Sequence, residues 1–390
     1  MADAEPIQTI RRAYAIAARD LRACYNPDGI VAGRLKFNAY WARDGFWALF
    51  GALALGDHEQ ARAQLEIFIR YQFPSGKLPV RVEFVGHHPF TGYNTLRSRP
   101  KVVGRAGGVF SDPIDPTALF IIAAQEYLNA TGDTSFCSRF DPVMDRGVRW
   151  LARHDRDGDG IIESYWLADW MDSILKANKI FNLNVIYYAG LRACAALKRV
   201  NGQPETAAAI DRTADGLRER LEIFWNGEYF TDWIFGSRRG GFSSDGNVLA
   251  LLFDVATEEQ SRRILAYIER HGLDAGAPLR VCHPVYSPWR VFPMYYLAGI
   301  ADYHRSLIWP WLGTLNAINK ARRGNRRGAL LDLSRIGAWY VRDRAVNEVY
   351  GQSGLPVSRR FYTAEVPFAW NAGVYVYAVH AIGLGEGALA

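Results

Sequence analysis

The chain has 390 residues, 49% of them hydrophobic and 22% charged, which supports a large core and excludes disordered and fibrous classes. Its 46 Lys and Arg outnumber 40 Asp and Glu for a net charge of +6, but the cations are scattered in runs no longer than two, so no nucleic-acid footprint is indicated. The four cysteines, Cys24, Cys137, Cys194 and Cys282, lie far apart without a C-x-x-C pair, which argues against a zinc knuckle or a disulfide framework and for reduced, buried thiols.

The N-terminal stretch MADAEPIQTIRRAY carries acids before any apolar run, unlike a signal peptide, and the longest apolar run, Phe46 to Leu55, is too short to span a bilayer. A cytoplasmic location without membrane association is the expectation. Helical periodicity then recurs along the whole chain, at 6–24, 42–55, 57–72, 115–131, 141–154, 179–200, 204–224, 244–255, 257–271, 292–305, 307–323, 327–344 and 371–383. In the clearest case Asp115 caps, Pro116 takes the first helical position, Leu119, Ile122, Ala123 and Tyr127 mark one face, and Gly132 ends it. No alternation of strands and helices suggests a doubly wound sheet, and no sequence repeat suggests a solenoid. The long segments 74–114 and 226–243 read as irregular loops. The first contains Pro89, Gly107 and Gly108, and loops of such length in a compact domain usually serve function. An all-α helical barrel forming one domain over 1–390, with aromatic-rich loops covering a cleft at one end, fits this order. The 12 Trp, 20 Tyr and 20 Phe are more flat rings than core packing demands and suggest a ligand that stacks.

Four constellations carry chemistry. Tyr40, Trp41, Arg43, Asp44 and Trp47 place a guanidinium fork and a carboxylate side by side among rings, suited to gripping vicinal hydroxyls on a stacked sugar face. Asp169 and Asp172 lie three residues apart beside Trp170 and Met171, where desolvation would raise a carboxyl toward the range of a general acid; Asp172 could instead cap the following helix. Glu365 stands alone among apolar and aromatic residues just before the final helix, as a base or a cap. His304 crowds with Tyr303, Arg305, Trp309 and Trp311, where a hydrogen-bonding role outweighs a proton shuttle. A fifth segment, Asp155, Asp157 and Asp159, copies the first half of a calcium loop, but its twelfth position is Trp166 rather than a bidentate Glu, so a solvated turn is expected and no metal or cofactor.

In this order the motifs Trp41-x-Arg43-Asp44, Trp170-Met171-Asp172, Tyr303-His304-Arg305 with Trp309-Pro310-Trp311, and Glu365-x-Pro367-Phe368-x-Trp370 resemble the (α/α)6-barrel glycoside hydrolases. The likeness is to the amylo-α-1,6-glucosidase domain of glycogen-debranching enzymes and to the related α-glucosidase, mannosylglycerate hydrolase and neutral invertase families, and it runs over about residues 35–383. The resemblance implies an inverting, exo-acting hydrolase that removes a glucosyl unit from a small α-glucoside or an α-glucan end. It makes Asp172 the general acid, Glu365 the general base, Arg43 and Asp44 the hydroxyl ligands, and Trp170, Trp309, Trp311 and Trp370 pocket walls, with Asn184, Asp245 and His304 as further polar contacts. Relatives often carry an N-terminal β-sandwich, for which the residues before position 40 leave no room, and Asp169 offers a second carboxylate that leaves the acid open between two positions. Alternatives are a sugar epimerase or isomerase on the same barrel, which would need several histidines in the cleft, and a non-catalytic carbohydrate-binding protein. The expected partner is a small carbohydrate, whose aglycone Arg81, Arg97, Arg99 and Arg105 allow to be anionic. The sequence is silent on oligomeric state.

Overall fold

A computed structural model describes residues 4–87, 94–105, 112–276 and 278–385. Pro89, Gly107 and Gly108 of the expected 74–114 loop lie outside the described residues. The helices are α1 Ala4–Ala23, α2 Ala42–Ala54, α3 His58–Arg70, α4 Asp115–Thr131, α5 Thr134–Ala152, α6 Phe181–Val200, α7 Pro204–Arg220, α8 Ser244–Leu252, α9 Glu258–Arg270, α10 Pro293–Leu297, α11 Pro310–Arg322, α12 Arg326–Asp343 and α13 Ala369–Ala381. Helices α2, α4, α6, α8, α11 and α13 touch in sequence, and α13 returns to α2 to close the ring. Against this ring lie α1 on α13 and α2, α3 on α2 and α4, α5 on α4 and α6, α7 on α6, and α12 on α11. The fold is an (α/α)6 barrel.

Composition separates the two layers. Inner helix α13 buries Trp370, Val374, Tyr375, Val376 and Val379 around its whole circumference. Outer helix α9 buries only Gln260, Ser261, Ile264, Tyr267 and Ile268, a single stripe at helical spacing. It begins at a capping box in which Thr257 and Gln260 exchange side-chain and backbone bonds. The ring closes where α2 meets α13 through two glycines. A Cβ on Gly51 would stand 2.4 Å from Gly373 Cα, and one on Gly373 would stand 2.5 Å from Ala48 Cα. Only residues without side chains allow the two backbones to approach so closely.

The expected helices recur with three instructive departures. Helix α5 starts at Thr134 rather than 141, with the Asp133 carboxylate capping Phe136 N–H, and it carries Pro142 inside at the loss of one intrahelical bond. The expected helix at 292–305 reduces to α10, because Gly299 turns to φ 69° and the chain breaks into turns up to Leu307. The segment 74–114 is not irregular. Arg81–His87 and Asn94–Val103 form an antiparallel hairpin to which Tyr40–Trp41 adds a short third strand. The alternation of Arg81, Val82 and Glu83 is a period-two pattern, with Val82 fully buried and its two neighbours partly exposed.

The inner helices present their N-terminal ends to one mouth of the barrel. Trp41 precedes α2, Asp115 opens α4, Asp245 sits in the first turn of α8, Trp309 caps α11 and Trp370 opens α13. Trp41, Trp309 and Trp370, far apart in the chain, converge because each stands at the start of an inner helix, while Trp170 and Asp172 reach the same mouth from the loop before α6.

Candidate active site

A cavity of about 230 Å³ opens at this mouth, lined by Phe37, Trp41, Arg43, Asp44, Trp170, Asp172, Tyr295, Tyr303, His304, Trp309, Glu348, Phe368 and Trp370. Its aromatic wall is continuous. The Trp170 ring stands edge-on to His304, Trp309, Trp311 and Trp370, at centroid distances of 4.8, 5.5, 4.9 and 6.3 Å. Trp170 Nε1–H donates to Asp245 Oδ2 at 2.6 Å, and Trp309 Nε1–H donates to the Tyr303 carbonyl at 2.9 Å, so both indoles are held in orientation by buried acceptors.

Three carboxylates line this cavity, Asp44 beside Arg43 and, at the tyrosines, Asp172 and Glu348. Asp172 Oδ1 accepts the Tyr295 hydroxyl at 2.6 Å, and 39% of its side chain remains accessible. It does not cap a helix, since α6 starts only at Phe181. Its protein surroundings push the Asp172 carboxyl up, opposed by the Tyr295 hydrogen bond and by Arg43. Glu348 is 1% exposed and accepts three donors: the Tyr303 hydroxyl on Oε1, and the Tyr362 hydroxyl at 2.6 Å and Glu365 N–H at 2.9 Å on Oε2. Burial pushes Glu348 up as well, but these donors stabilise its ionised form. The tyrosines holding the two acids stack on each other, with the Tyr295 and Tyr303 rings 5.7 Å apart.

Glu365, expected as the base, stands elsewhere. Its side chain is fully buried and outside the cavity wall, and its oxygens accept the backbone N–H groups of Leu35 at 2.5 Å, Lys36 at 2.8 Å and Phe37 at 3.3 Å. It does not cap α13 either. It ties the 35–37 segment to the chain entering α13, with Gly33 so close that a Cβ there would meet Glu365 Cγ at 2.2 Å. Glu348 could have been found by the same signal that drew attention to Glu365, an isolated acid in an apolar setting, here between Val346 and Val349.

Of the remaining expected residues, Trp41, Arg43, Asp44, Trp170, His304, Trp309 and Trp370 line the cavity with Asp172. Arg43 Nε is bonded to the buried Asp115 carboxylate, which thus anchors the guanidinium instead of capping α4. Burial pushes Asp44 up to about 7, opposed by Arg43. The others do not reach the cavity. Tyr40 packs edge-on against Phe84, and Trp311 lies behind Trp170 and Trp370. Trp47 lines a second hollow of about 420 Å³ toward the opposite end of the inner helices. Asn184 bonds the backbone of Ile162 and the carbonyl of Ile180, and Asp245 holds Trp170, Asn182 and Ser243 from behind. Asp169 is engaged by the fully buried Lys176 at 2.6 Å, whose ammonium also reaches Asp232 at 3.0 Å, leaving Asp172 as the acid at the cavity.

His304 is sandwiched, with its ring stacked on Trp309 at 5.1 Å and Nδ1 at 2.8 Å from Ser173 Oγ. Burial pushes its pKa well below the usual value, so it is neutral at pH 7 and makes no ion pair with Asp172 at 4.0 Å. The oxygens of Asp155, Asp157 and Asp159 lie within 4.8 Å of one another. The protein's own Lys179 ammonium sits against them, at 2.8 Å from Asp157 and bonded to Asp159, and Asp155 and Asp159 also accept the N–H groups of Gly160 and Ile161.

No family model matches this sequence, and no curated protein does. Solved structures match over nearly the whole chain. The GH63 mannosylglycerate hydrolase from Thermus thermophilus in complex with glucose is 15% identical with a TM-score of 0.71, covering 94% of this chain and 99% of its own. A glycosidase in complex with glucose is 16% identical with a TM-score of 0.68, covering 98% of each chain. The rhamnosidase from Klebsiella oxytoca with rhamnose bound is 16% identical with a TM-score of 0.70, covering 97% of this chain and 64% of its own. The chain shares the (α/α)6-barrel fold of these glycoside hydrolases.

Proposed function

We propose that the protein is an inverting, exo-acting glycoside hydrolase that releases a glucosyl unit from a small α-glucoside, with Asp172 as general acid and Glu348 as general base. The observation that carries this reading is the pair of carboxylates on one sugar-sized, indole-walled cavity, each held by a tyrosine hydroxyl and differing in their donors. Asp172 has one such donor and is pushed up by its surroundings, which favours the protonated form an acid needs. Burial raises Glu348 too, but its three donors oppose that rise and favour the anion a base needs. Asp172 gives its proton to the glycosidic oxygen as the C1–O bond breaks. Glu348 takes a proton from a water that attacks C1 from the other face, so the anomeric configuration inverts. Arg43, fixed by Asp115, and Asp44 grip ring hydroxyls, and the indoles stack on the sugar. The fold of the neighbouring structures, and the glucose that two of them hold, support the class and the unit removed.

Purified protein offered a panel of small α-glycosides, with product anomers followed by NMR, tests this reading. Release of β-glucose from an α-glucoside is expected. Release of the α-anomer would overturn inversion, and no turnover on any member of the panel would overturn the hydrolase.

A further inference from the structure

A third cavity, of about 320 Å³, adjoins the one lined by Asp172, sharing Phe37 and Trp41 as a common wall. Its charge is lopsided: Lys36, Arg81, Arg97 and Lys101 line it, against the single carboxylate of Glu83. The hairpin register sets part of this face, because Glu83 and Lys101 are cross-strand partners while Val82 and Val102 pair on the other side. Glu83 is bonded to Arg81 Nε at 2.6 Å, but Arg97 and Lys101 approach it only to 3.6 and 3.8 Å, beyond hydrogen-bond length, and are 37% and 55% exposed. Their donors are therefore available to a ligand. Arg81 also links this face to the proposed chemistry. It lies 4.5 Å over the Trp41 ring and shares a small cleft with Asp172, the group that would protonate the leaving oxygen.

We infer that this basic ledge is the aglycone side of the site and takes a leaving group bearing an oxyanion, held by Arg97 and Lys101 with Arg81 at the junction. The inference rests on the hydrolase reading for its placement, and on the ledge itself for its chemistry. A guanidinium and an ammonium converging on one space suit a carboxylate, phosphate or sulfate, whereas a neutral polyol would leave their charges without a counter-ion.

Binding of the free anions D-glucuronate, glycerol 3-phosphate and sulfate, with glycerol as the neutral reference, is measured calorimetrically and tests the ledge without catalysis. The three anions distinguish a carboxylate, a phosphate and a sulfate ligand. Tighter binding of at least one anion than of glycerol is expected, weakened about tenfold or more in Arg97→Ala/Lys101→Ala and by raised salt. Glu83→Gln, which removes the carboxylate nearest Arg81, Arg97 and Lys101, moves affinity the other way. Anions that bind no better than glycerol, or that ignore both variants, would overturn the inference while leaving the hydrolase reading intact. Anion binding that follows the variants in a protein that cleaves no glycoside would keep the ledge and sink the hydrolase. Melting curves of each variant separate loss of the ledge from loss of the fold.

Discussion

Two glutamates show how little a side chain's neighbours in sequence say about its task. Glu348 and Glu365 each have a valine as next neighbour, yet Glu365 is consumed by three backbone amides and Glu348 faces the cavity. Asp172→Asn and Glu348→Gln are each expected to lower turnover by about two to four orders of magnitude while melting with the wild type. Glu365→Gln instead weakens charge-assisted bonds to buried amides and should cost roughly 1–3 kcal/mol of stability, with kcat kept in the protein that remains folded. A Glu365→Gln variant that melts normally and is inactive would reverse the assignment of the base. Tyr295 offers a test with a sign. Its hydroxyl stabilises ionised Asp172, so Tyr295→Phe raises the Asp172 pKa. Because the acid must be protonated, the alkaline limb of the pH–rate profile should move to higher pH, while the acid limb, set by Glu348, stays. A shift of the acid limb alone would exchange the two roles.

At the level of elements, the ring depends on the α2–α13 seam. Gly373→Ala drives a methyl group into the Ala48 backbone at 2.5 Å and should destabilise by roughly 1–3 kcal/mol, since neither backbone can yield alone. Gly190→Ala in α6 meets its nearest atom, Ala118 Cβ, at 3.4 Å and should be neutral or slightly stabilising. Equal melting shifts for the two would show that the seam has slack. The elements whose period was strong, such as α4 and α6, could be read from the chain almost to the residue. Of those read wrongly, α10 was cut short locally by Gly299, whereas Arg81–His87 and Asn94–Val103 were overruled from outside, as a strand pair to which Tyr40–Trp41 offers an edge. Such an edge is made by the fold and is absent from any local window.

Across the whole molecule, polar groups buried during barrel assembly set the pH response. His304 has its pKa lowered well below 6.5 by burial, and His154 and His283 are lowered in the same direction for the same reason. The folded chain therefore resists protonation that the unfolded chain accepts. The histidines' contribution to stability is complete above about pH 6.5 and falls as pH drops below it. The gap in melting temperature between wild type and His304→Asn should narrow on going from about pH 8 to about pH 5 by calorimetry; a constant gap would mean that His304 is protonated when folded.

What the chain order alone determined was the helical architecture, the four cysteines as thiols, which are free and buried, and the cluster of Trp41, Arg43, Asp44, Trp170, Asp172, Trp309 and Trp370 at one cavity. Helical period and aromatic excess are local signals, and they survive in any window of sequence. Which glutamate lines the cavity with Asp172, which of Asp169 and Asp172 is engaged by a lysine, and where the basic ledge lies were decided only by tertiary structure. Each depends on a partner brought from far along the chain: Lys176 for Asp169, the 35–37 amides for Glu365, the Tyr303 and Tyr362 hydroxyls for Glu348. A carboxylate's role follows from the donors that reach it, and donors are delivered by the fold.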